Sequence, residues 1–326
     1  MNILSFAAQT LRKQCGQVNA VHSQTGIGKA ALWWTFWRYQ ILYGASPSDW
    51  LNYRMWEMSR HYARTFITAR YGKRLDRLLN PRVVGDIYTN KVAFNRHFSQ
   101  FVQREWIYTA ESTPEEVREF ALRIGRVVVK PIGLSSGRGV YGTEVDKDNV
   151  DELIAAVCVP GGDGYLLEEQ IRLVDELERL NPPSCQTLRV YTVLTRGEEV
   201  RVIAAVIRVG GGNSVVDNFH AAGSAYPIDI GTGRISGPGI DAAGTRHLRT
   251  PSTNIFMPGY QIPGWDEVVG FCTKAHMSER RARFIGWDVA VTPTGLEMVE
   301  GNVRPNHNMI QIFDRQGRKK ELYSYL

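Results

Sequence analysis

The feature that most constrains the fold is an apolar segment near the end of the chain that carries two carboxylates. Its pattern predicts two strands, residues 284–292 and 296–299, joined by a short turn. Side chains alternate across a strand, so we expect Asp288 and Glu300 to converge on one face, and Asn302 to return to that face. Unpaired charges among apolar neighbours are costly, which argues against two idle carboxylates on a surface hairpin.

Two carboxylates and an amide oxygen form a hard oxygen donor set. Such a set suits Mg²⁺, which also keeps waters and substrate phosphates as ligands. The sequence therefore predicts a magnesium site made of Asp288, Glu300 and Asn302.

A second feature is the loop 133–142, which joins predicted strands at 126–131 and 140–145. Its glycines and serines let backbone N–H groups approach a polyphosphate, and Arg138 adds positive charge. A plain hairpin turn is the alternative, although four glycines, two serines and an arginine are excessive for one. The loop also matches the dinucleotide fingerprint, but that motif leads from a strand into a helix, whereas this loop joins two strands.

The pattern along the chain predicts four regions and an α+β class with largely antiparallel sheets. A helical, basic region covers residues 1–80, and residues 81–125 precede the first strands. Two further subdomains follow at 126–180 and 181–326. We expect a helix from Lys91 to Trp106, a helix starting at Thr113-Pro114, and a hairpin formed by 187–195 and 200–209.

Charge is distributed unevenly along the 326 residues, whose net charge is +6. Up to Arg82 there are 12 Lys and Arg against three acids, whereas the remainder has 27 against 30. This asymmetry indicates an anionic partner: a charged substrate, a membrane surface or nucleic acid. The alternative is that these arginines are only solvent-exposed residues on the outer faces of helices.

The helical region contains the dense aromatic stretch 32–43. Its apolar run is about 14 residues, short of the roughly 20 needed to cross a bilayer, so we predict a buried helix and keep an interfacial one as the alternative. Ser48-Asp49 is expected to cap a helix running toward Tyr71. No signal peptide is recognised and the four cysteines are scattered, so we expect a cytoplasmic protein.

Taken together, these segments resemble the ATP-grasp superfamily and, within it, the sugar-transfer-associated branch. The resemblance runs from about Pro47 to about Met309, in the order and spacing of several segments. They are 46–50, Asn90-Lys91, Val129-Lys130-Pro131 with its glycine loop, 167–171, Thr187-Leu188-Arg189, 216–219, Gly286-Trp287-Asp288 and Glu300-Gly301-Asn302.

The resemblance implies two α+β lobes that clasp ATP, with one or two Mg²⁺ on Asp288, Glu300 and Asn302. It also implies a role for each further position. Lys91 and Lys130 would contact the phosphates. The loop 133–142 would close over the phosphates as a lid, through Ser135, Ser136, Gly137, Arg138 and Gly139.

Adenine would meet the backbone of Glu169 and Ile171, with Glu168 nearby, and Asp175 stands where the family places its ribose-binding acid. Arg189 and Arg208 look like phosphate or acyl-phosphate contacts; a buried, ion-paired arginine is the alternative for each.

The acceptor side departs from the family pattern. After Asn302 the chain continues Val303-Arg304-Pro305-Asn306-His307, where many amino-acid ligases of the superfamily have a small glycine-containing turn. We therefore predict that Arg304 and His307 contact the acceptor substrate, and we count Arg304 among the catalytic residues. Asn218 and His220 would line the opposite wall of the acceptor site.

The function that follows is an ATP- and Mg-dependent carboxylate–amine ligase that forms an amide through an acyl-phosphate. The expected substrates are a small-molecule carboxylate and amine, with an anionic or lipid-linked glycan as a further candidate. An ATP-grasp kinase is the first alternative, because its nucleotide site would look the same. A module that binds nucleic acid or membrane through the basic helices ranks third; nucleic acid is not expected, and contact with the inner membrane face is left open.

Overall fold

The computed structural model describes residues 3–80, 84–134, 138–212 and 223–325, with side chains from residue 8 onward. The chain divides into two compact units. The helical unit comprises residues 1–78 and 306–326, and the sheet unit comprises residues 79–305. The first boundary lies close to the expected one at residue 80. Residues 306–326, however, group with the N-terminal helices and not with the subdomain to which the sequence pattern assigned them.

The helical unit is built around large aromatic side chains. Its helices are α1 (Ile3–Thr25), α2 (Lys29–Tyr43), α3 (Pro47–Asn52), α4 (Arg60–Ala63), α5 (Ala69–Leu79) and α12 (Lys319–Ser324). The core contains Phe36, Tyr39, Trp50, Tyr53 and Phe66, all of them fully buried. No helix in the described stretches has both the length and the apolar character needed to cross a bilayer.

The expected continuous helix from Ser48 toward Tyr71 is wrong. Ser46, not Ser48, caps α3: its hydroxyl accepts from the N–H of Asp49, whose carboxylate accepts from the N–H of Ser46 in return. The chain then leaves the helix at Arg54, which adopts a left-handed conformation with φ 53°. A β-carbon is disfavoured there, so the position interrupts the helix.

Buried hydrogen bonds attach the C-terminal segment to the helical unit. The hydroxyl of Tyr53 donates to Oδ1 of Asn308 at 2.6 Å, and Oε1 of Gln311 accepts from the N–H of Ile67 at 2.9 Å. Unpaired polar groups would be costly in this interior, which explains why the segment groups here.

The sheet unit contains a small antiparallel sheet of four strands, in the order β1-β4-β2-β3. The strands are β1 (Trp106–Tyr108), β2 (Arg126–Pro131), β3 (Tyr141–Glu144) and β4 (Tyr165–Glu169). Helices α8 (Pro114–Ile124) and α9 (Val150–Val157) supply the apolar residues that pack with it. The predicted cap at Thr113 is confirmed, because its hydroxyl accepts from the N–H of Glu116 in a full capping box.

The region before this sheet differs from the expectation of one helix over 91–106. Two short helices, α6 (Gly85–Thr89) and α7 (Lys91–His97), are present, and Trp106 belongs to β1. Asn90 caps α7 through its side chain, which accepts from the N–H groups of Val92 and Ala93. This cap fixes the start of α7, so Lys91 occupies the first helical position.

The large sheet is antiparallel, in the order β11-β10-β5-β6-β7-β8-β9. Its strands are β5 (Thr187–Leu194), β6 (Val200–Val209), β7 (Ser224–Ile228), β8 (Gly239–Asp241), β9 (Arg246–His247), β10 (Phe284–Thr292) and β11 (Gly295–Asn302). Helix α11 (Trp265–Ser278) packs on β5, β6 and β10. Both hairpins expected from the sequence are present. The short strands β7 to β9 are additions, and the α+β class with antiparallel sheets is confirmed.

Candidate active site

One group of residues crosses the large sheet and carries four of the predicted charged side chains. Glu300 on β11 stands opposite Asp288 on β10, and Asp288 stands opposite Arg189 on β5. Arg208 lies on the next strand, β6, opposite Thr187. We call Arg189, Arg208, Asp288 and Glu300 the sheet cluster. Directly opposed residues of antiparallel strands lie about 4.5–5.5 Å apart at Cβ, so the register brings Arg189, Asp288 and Glu300 together. Arg208 joins them through its ion pair with Asp288.

Asp288 is buried and is held by both arginines. Oδ1 accepts from Nε of Arg189, and Oδ2 accepts from Nη2 of Arg189 at 2.8 Å; Nη2 of Arg208 lies 2.9 Å from Oδ2. Burial by itself would raise the pKa of Asp288, but the two guanidinium groups hold it below its ordinary value. The carboxylate is therefore ionised at neutral pH.

Glu300 contrasts with its neighbour because it is exposed and has no ion pair within the described ranges. Asn302 stands opposite Gly286 one step further along the hairpin, and its Nδ2 is buried without a hydrogen-bond partner among the described residues. A carboxylate without a contacting ion pair and an amide without a partner among the described residues are groups that a ligand can engage.

This donor set fits Mg²⁺ bound together with a nucleotide. A carboxylate offers about four lone-pair sites, and the arginines occupy three of those on Asp288, which leaves one on Oδ1. In the described residues, no group of three or more His, Cys, Asp or Glu side chains is placed to hold a metal. Mg²⁺ commonly uses only one or two carboxylates and completes its shell with water and phosphate oxygens.

Two further predicted cations are Lys130 on β2 of the small sheet and Lys91 at the start of α7. Lys130 on β2 forms an ion pair with Glu168 on β4. Lys91 donates through Nζ to the carbonyls of Pro131 at 3.0 Å and Leu134 at 2.8 Å. Burial lowers the pKa of Lys91, Lys130 adds to that effect, and Glu300 and Glu168 oppose it. The electrostatic interaction between Lys91 and Glu300 links the lysines to the predicted metal site.

A buried arginine that the sequence reading missed joins the two sheets. Arg104 donates through Nη2 to Oε1 of Glu168 at 2.8 Å and through Nη1 to Oε1 of Glu297, on β11. Asn95 donates to the same oxygen of Glu168 at 2.9 Å. We call Asn95, Arg104, Lys130, Glu168 and Glu297 the hinge cluster. No sequence motif identifies Arg104 as a functional residue. The one hint in the sequence is that this charged residue lies close to the apolar strand β1.

The hinge cluster keeps Glu168 ionised. Burial would raise the pKa of this carboxyl, but Arg104 and Lys130 hold it well below its ordinary value. Glu168 thus fixes the position of Lys130, and through Arg104 it links the small sheet to β11.

The segment expected to bind adenine follows Glu168 directly in the chain. Glu169 ends β4, and its N–H donates to the carbonyl of Glu105 at 2.9 Å. The N–H of Ile171 has no acceptor among the described residues. Asp175 is exposed and begins the short helix α10 (Asp175–Glu178), which is anchored to β10 by a bond from the N–H of Val174 to the carbonyl of Val291 at 3.0 Å.

The glycine-rich loop connects β2 and β3, as the sequence predicted, but only its ends can be described. Ser135, Ser136 and Gly137 lie outside the described residues. Gly139 has φ 71°, and a β-carbon there would lie 3.0 Å from Cγ of Pro131, so both conformation and space favour glycine. Arg138, the residue before it, is exposed.

The predicted acceptor residues fall in different parts of the chain. Asn218 and His220 lie outside the described residues. Arg304 is exposed in the sheet unit, just after β11. His307 belongs to the helical unit, where its Nε2 lies 3.7 Å from Oδ1 of Asp49 and a β-carbon on Gly72 would lie 2.5 Å from its Nδ1. This packing gives His307 a structural contact in its own unit, and its role toward an acceptor stays a prediction.

A cavity of about 300 Å³ lies beside the segment that follows β4. Its lining includes Arg126, Gln170, Ile171, Arg172 and Cys185. Among the predicted site residues that the structure describes, Ile171 alone lines it, so this cavity is separate from the sheet cluster.

The described geometry can now be set beside known proteins. The family described as sugar-transfer associated ATP-grasp matches residues 70–324, and the chain belongs to that family. Its fold is the ATP-grasp fold, with the two antiparallel sheets described above. A search of the curated proteins found no significant match.

Several solved structures are similar to this chain at low identity. The ATP-grasp ligase PsnB, complexed with a phosphomimetic variant of its minimal precursor, Mg and ADP, is 14% identical, with a TM-score of 0.44. That match covers 76% of this chain and 60% of PsnB, so the chain spans less than two thirds of PsnB's length. D-alanyl-alanine synthetase A from Vibrio cholerae is 11% identical over 73% of this chain and 63% of its own, with a TM-score of 0.43. D-alanine–D-alanine ligase from Bacillus anthracis is 13% identical over 78% and 73%, with a TM-score of 0.45.

Proposed function

We propose that this chain is an ATP- and Mg-dependent carboxylate–amine ligase that forms an amide through an acyl-phosphate. The observation that carries the proposal is the row of Arg189, Asp288 and Glu300 across three neighbouring strands. It combines phosphate-binding cations with metal-binding oxygens in one place, which is the combination that phosphoryl transfer requires.

The charges of the site support Mg·ATP as the ligand. Four cationic side chains belong to the proposed site: Lys91, Lys130, Arg189 and Arg208. Three carboxylates, those of Glu168, Asp288 and Glu300, offset only part of this charge. The excess favours a ligand that carries net negative charge; Asp288, Glu300 and Asn302 would hold Mg²⁺, which would neutralise part of the charge of that ligand.

In the proposed reaction, a carboxylate oxygen of the substrate attacks the γ-phosphorus of ATP, and ADP leaves. The amine nitrogen then attacks the acyl carbon, phosphate leaves and the nitrogen loses a proton, which yields an amide. Bound Mg²⁺ would neutralise charge on the phosphates. Arg189 and Arg208 would bind the oxygens of the transferred phosphoryl group, and Lys91 and Lys130 would orient the polyphosphate.

Side-chain nucleophiles are not needed for this chemistry, and the buried candidates suit it poorly. Burial raises the pKa of the Cys272 thiol well above its usual range. Burial also lowers the pKa of His276 to about 4, and its ring nitrogens are engaged by Thr192 and the carbonyl of Ala282. Positioning and charge stabilisation therefore supply the catalysis.

The N–H of Ile171, just after β4, has no acceptor among the described residues and is the proposed donor to adenine. Asp175 is the proposed ribose ligand. Arg304 is proposed to face the acceptor, because it directly follows the strand that carries Glu300 and Asn302.

The test is ADP release with panels of carboxylates, with and without amines, in the presence of hydroxylamine. The ligase predicts an amine-dependent amide and a hydroxamate trapped from the acyl-phosphate. A stable phosphorylated product with no hydroxamate would instead establish the kinase alternative. Absence of ATP binding by the intact chain, measured by calorimetry with Mg²⁺, would overturn both.

A further inference from the structure

Helix α2 is apolar on both of its faces, although only one of them is buried. Leu32, Phe36, Tyr39 and Tyr43 pack into the core of the helical unit. A surface helix normally places polar residues on its outer face, so a second apolar face requires an explanation.

The outer face presents four large apolar side chains to solvent. Trp34 is 65% exposed, Trp37 45%, Ile41 70% and Leu42 51%. The spacing of 34, 37 and 41 places them on one side of an α-helix, with Leu42 adjoining. We call these four residues the α2 stripe. Isolated exposed apolar residues are common, whereas a contiguous exposed patch marks a binding surface.

Local contacts hold the stripe in place. The ring of Trp37 stacks on Trp33, with centroids 6.2 Å apart, and meets Phe36 edge to face at 5.5 Å. Arg38, the charged residue beside the stripe, turns onto its neighbour: its guanidinium lies 4.8 Å from the Tyr39 ring centroid and donates to the Tyr39 hydroxyl at 3.0 Å. These contacts fix the ring of Trp37 and draw the guanidinium of Arg38 onto Tyr39.

The charge along the first 48 residues, which include α2, has one sign. The chain contains no Asp or Glu before Asp49, which is itself buried, whereas Arg12, Lys13 and Lys29 are exposed. The helical unit as a whole carries 15 Lys and Arg against five Asp and Glu. Such a surface attracts an anionic partner and repels the same surface of a second copy.

We propose that the α2 stripe docks on an anionic lipid bilayer, with α2 lying in the plane of the interface. Indole rings favour the boundary between headgroups and acyl chains, where Ile41 and Leu42 can enter the apolar layer. Basic side chains near an anionic leaflet contribute about 1 kcal/mol each. This docking is independent of the ligase proposed above.

The experiment is flotation of the full chain with vesicles of phosphatidylcholine alone or with about 30% phosphatidylglycerol. Wild-type protein should float with the anionic vesicles, and about 0.5 M NaCl should weaken this binding by screening. The double variant Trp34→Glu/Ile41→Glu should lose at least about tenfold in partitioning, because it removes indole and aliphatic burial and adds two like charges to those of the lipid.

Leu78→Glu serves as the matched control. Leu78 is 51% exposed on α5 of the same unit and lies outside the stripe, so this variant should float like the wild type. Urea unfolding of all three proteins would establish that the exposed substitutions leave the fold intact.

Three results would overturn the proposal: no flotation of the wild type with anionic vesicles, equal flotation of the double variant, or equal loss in the Leu78→Glu control. Sedimentation velocity without vesicles addresses a second copy as the occupant. A dimer that the double variant converts to monomer, with no lipid binding by the wild type, would assign the stripe to self-association instead.

Discussion

The two buried ion clusters of the sheet unit contain similar groups but differ in how completely those groups are satisfied. In the hinge cluster, every carboxylate oxygen of Glu168 and Glu297 accepts from a side chain or a backbone N–H. In the sheet cluster, Asp288 retains one lone pair and Glu300 has no ion pair within the described ranges. The carboxylates of the first cluster are fully engaged, although Nε of Arg104 is buried without a partner among the described residues, whereas those of the second cluster keep free acceptor sites.

This difference separates a structural role from a ligand-binding one. A network whose carboxylates are all engaged in a low-dielectric interior holds its elements in place, since removal of its central cation, Arg104, leaves the buried charge of Glu297 without an ion pair. An open network stores unused donors and acceptors beside a fixed charge, which is how a site is prepared for a charged ligand. The comparison predicts that substitutions in the hinge cluster change mainly stability, whereas those in the sheet cluster change mainly activity.

The largest effect is expected for Arg104→Met in the hinge cluster. The change leaves the buried carboxylate of Glu297 without its cation and removes one of the two cations of Glu168. We expect the free energy of unfolding to fall by about 3–5 kcal/mol, as measured by urea titration. Arg123→Met, which removes a solvent-exposed pair with Glu105, is the control and should change stability by less than about 1 kcal/mol.

A comparably large effect on activity is expected for Glu300→Gln. Loss of the free carboxylate should reduce kcat/KM by about 10²- to 10³-fold, with stability nearly unchanged because the side chain is exposed. Glu297→Gln, three residues away on the same strand, is the matched control. Burial raises the pKa of Glu297, so the neutral amide should be tolerated for activity but should lower stability by about 1–2 kcal/mol.

If both variants lost activity and stability together, the distinction between the two clusters would fail. Shifted Mg²⁺ dependence in Glu300→Gln alone would support the role of this residue as a metal ligand.

A smaller effect is expected for Arg208→Lys. The guanidinium contacts Asp288 and also donates to the hydroxyl of Thr187 through Nε at 3.1 Å and Nη2 at 2.7 Å. Lysine keeps the charge but cannot maintain this forked geometry, so we expect about a tenfold loss of kcat/KM. Reduced stability with unchanged kinetics would identify Arg208 as a purely structural partner of Asp288.

The smallest effect concerns acid stability. Glu168 has a folded pKa well below its ordinary value of 4.5, so its ion pairs contribute fully above that pH and lose their contribution as the pH falls further. The difference in unfolding free energy between wild type and Glu168→Gln should shrink by up to about 1.4 kcal/mol per pH unit below 4.5. Urea titrations at neutral pH and at about pH 3 provide the measurement; a constant difference would contradict it.

Local sequence pattern was enough to predict most of the regular elements near the site. Strand β2 has the bounds expected from its β-branched residues, and the hairpins β5–β6 and β10–β11 follow from alternation and turn residues. The capping box at Thr113 is encoded within four residues. The cross-strand pairing of Asp288 with Glu300 also follows from one hairpin, because its strands are adjacent in the chain.

Only the tertiary structure decided which distant residues meet. Arg189 and Asp288 are 99 positions apart, and they pair because β5 and β10 are neighbours in the large sheet. Arg104 joins Glu297 across 193 positions, and no local pattern marks it. Segment 306–326 joined the helical unit through buried polar contacts that its own composition does not specify. Short-range periodicity encodes the elements themselves. Sheet order and buried ion pairing depend on long-range packing, which a single sequence does not display.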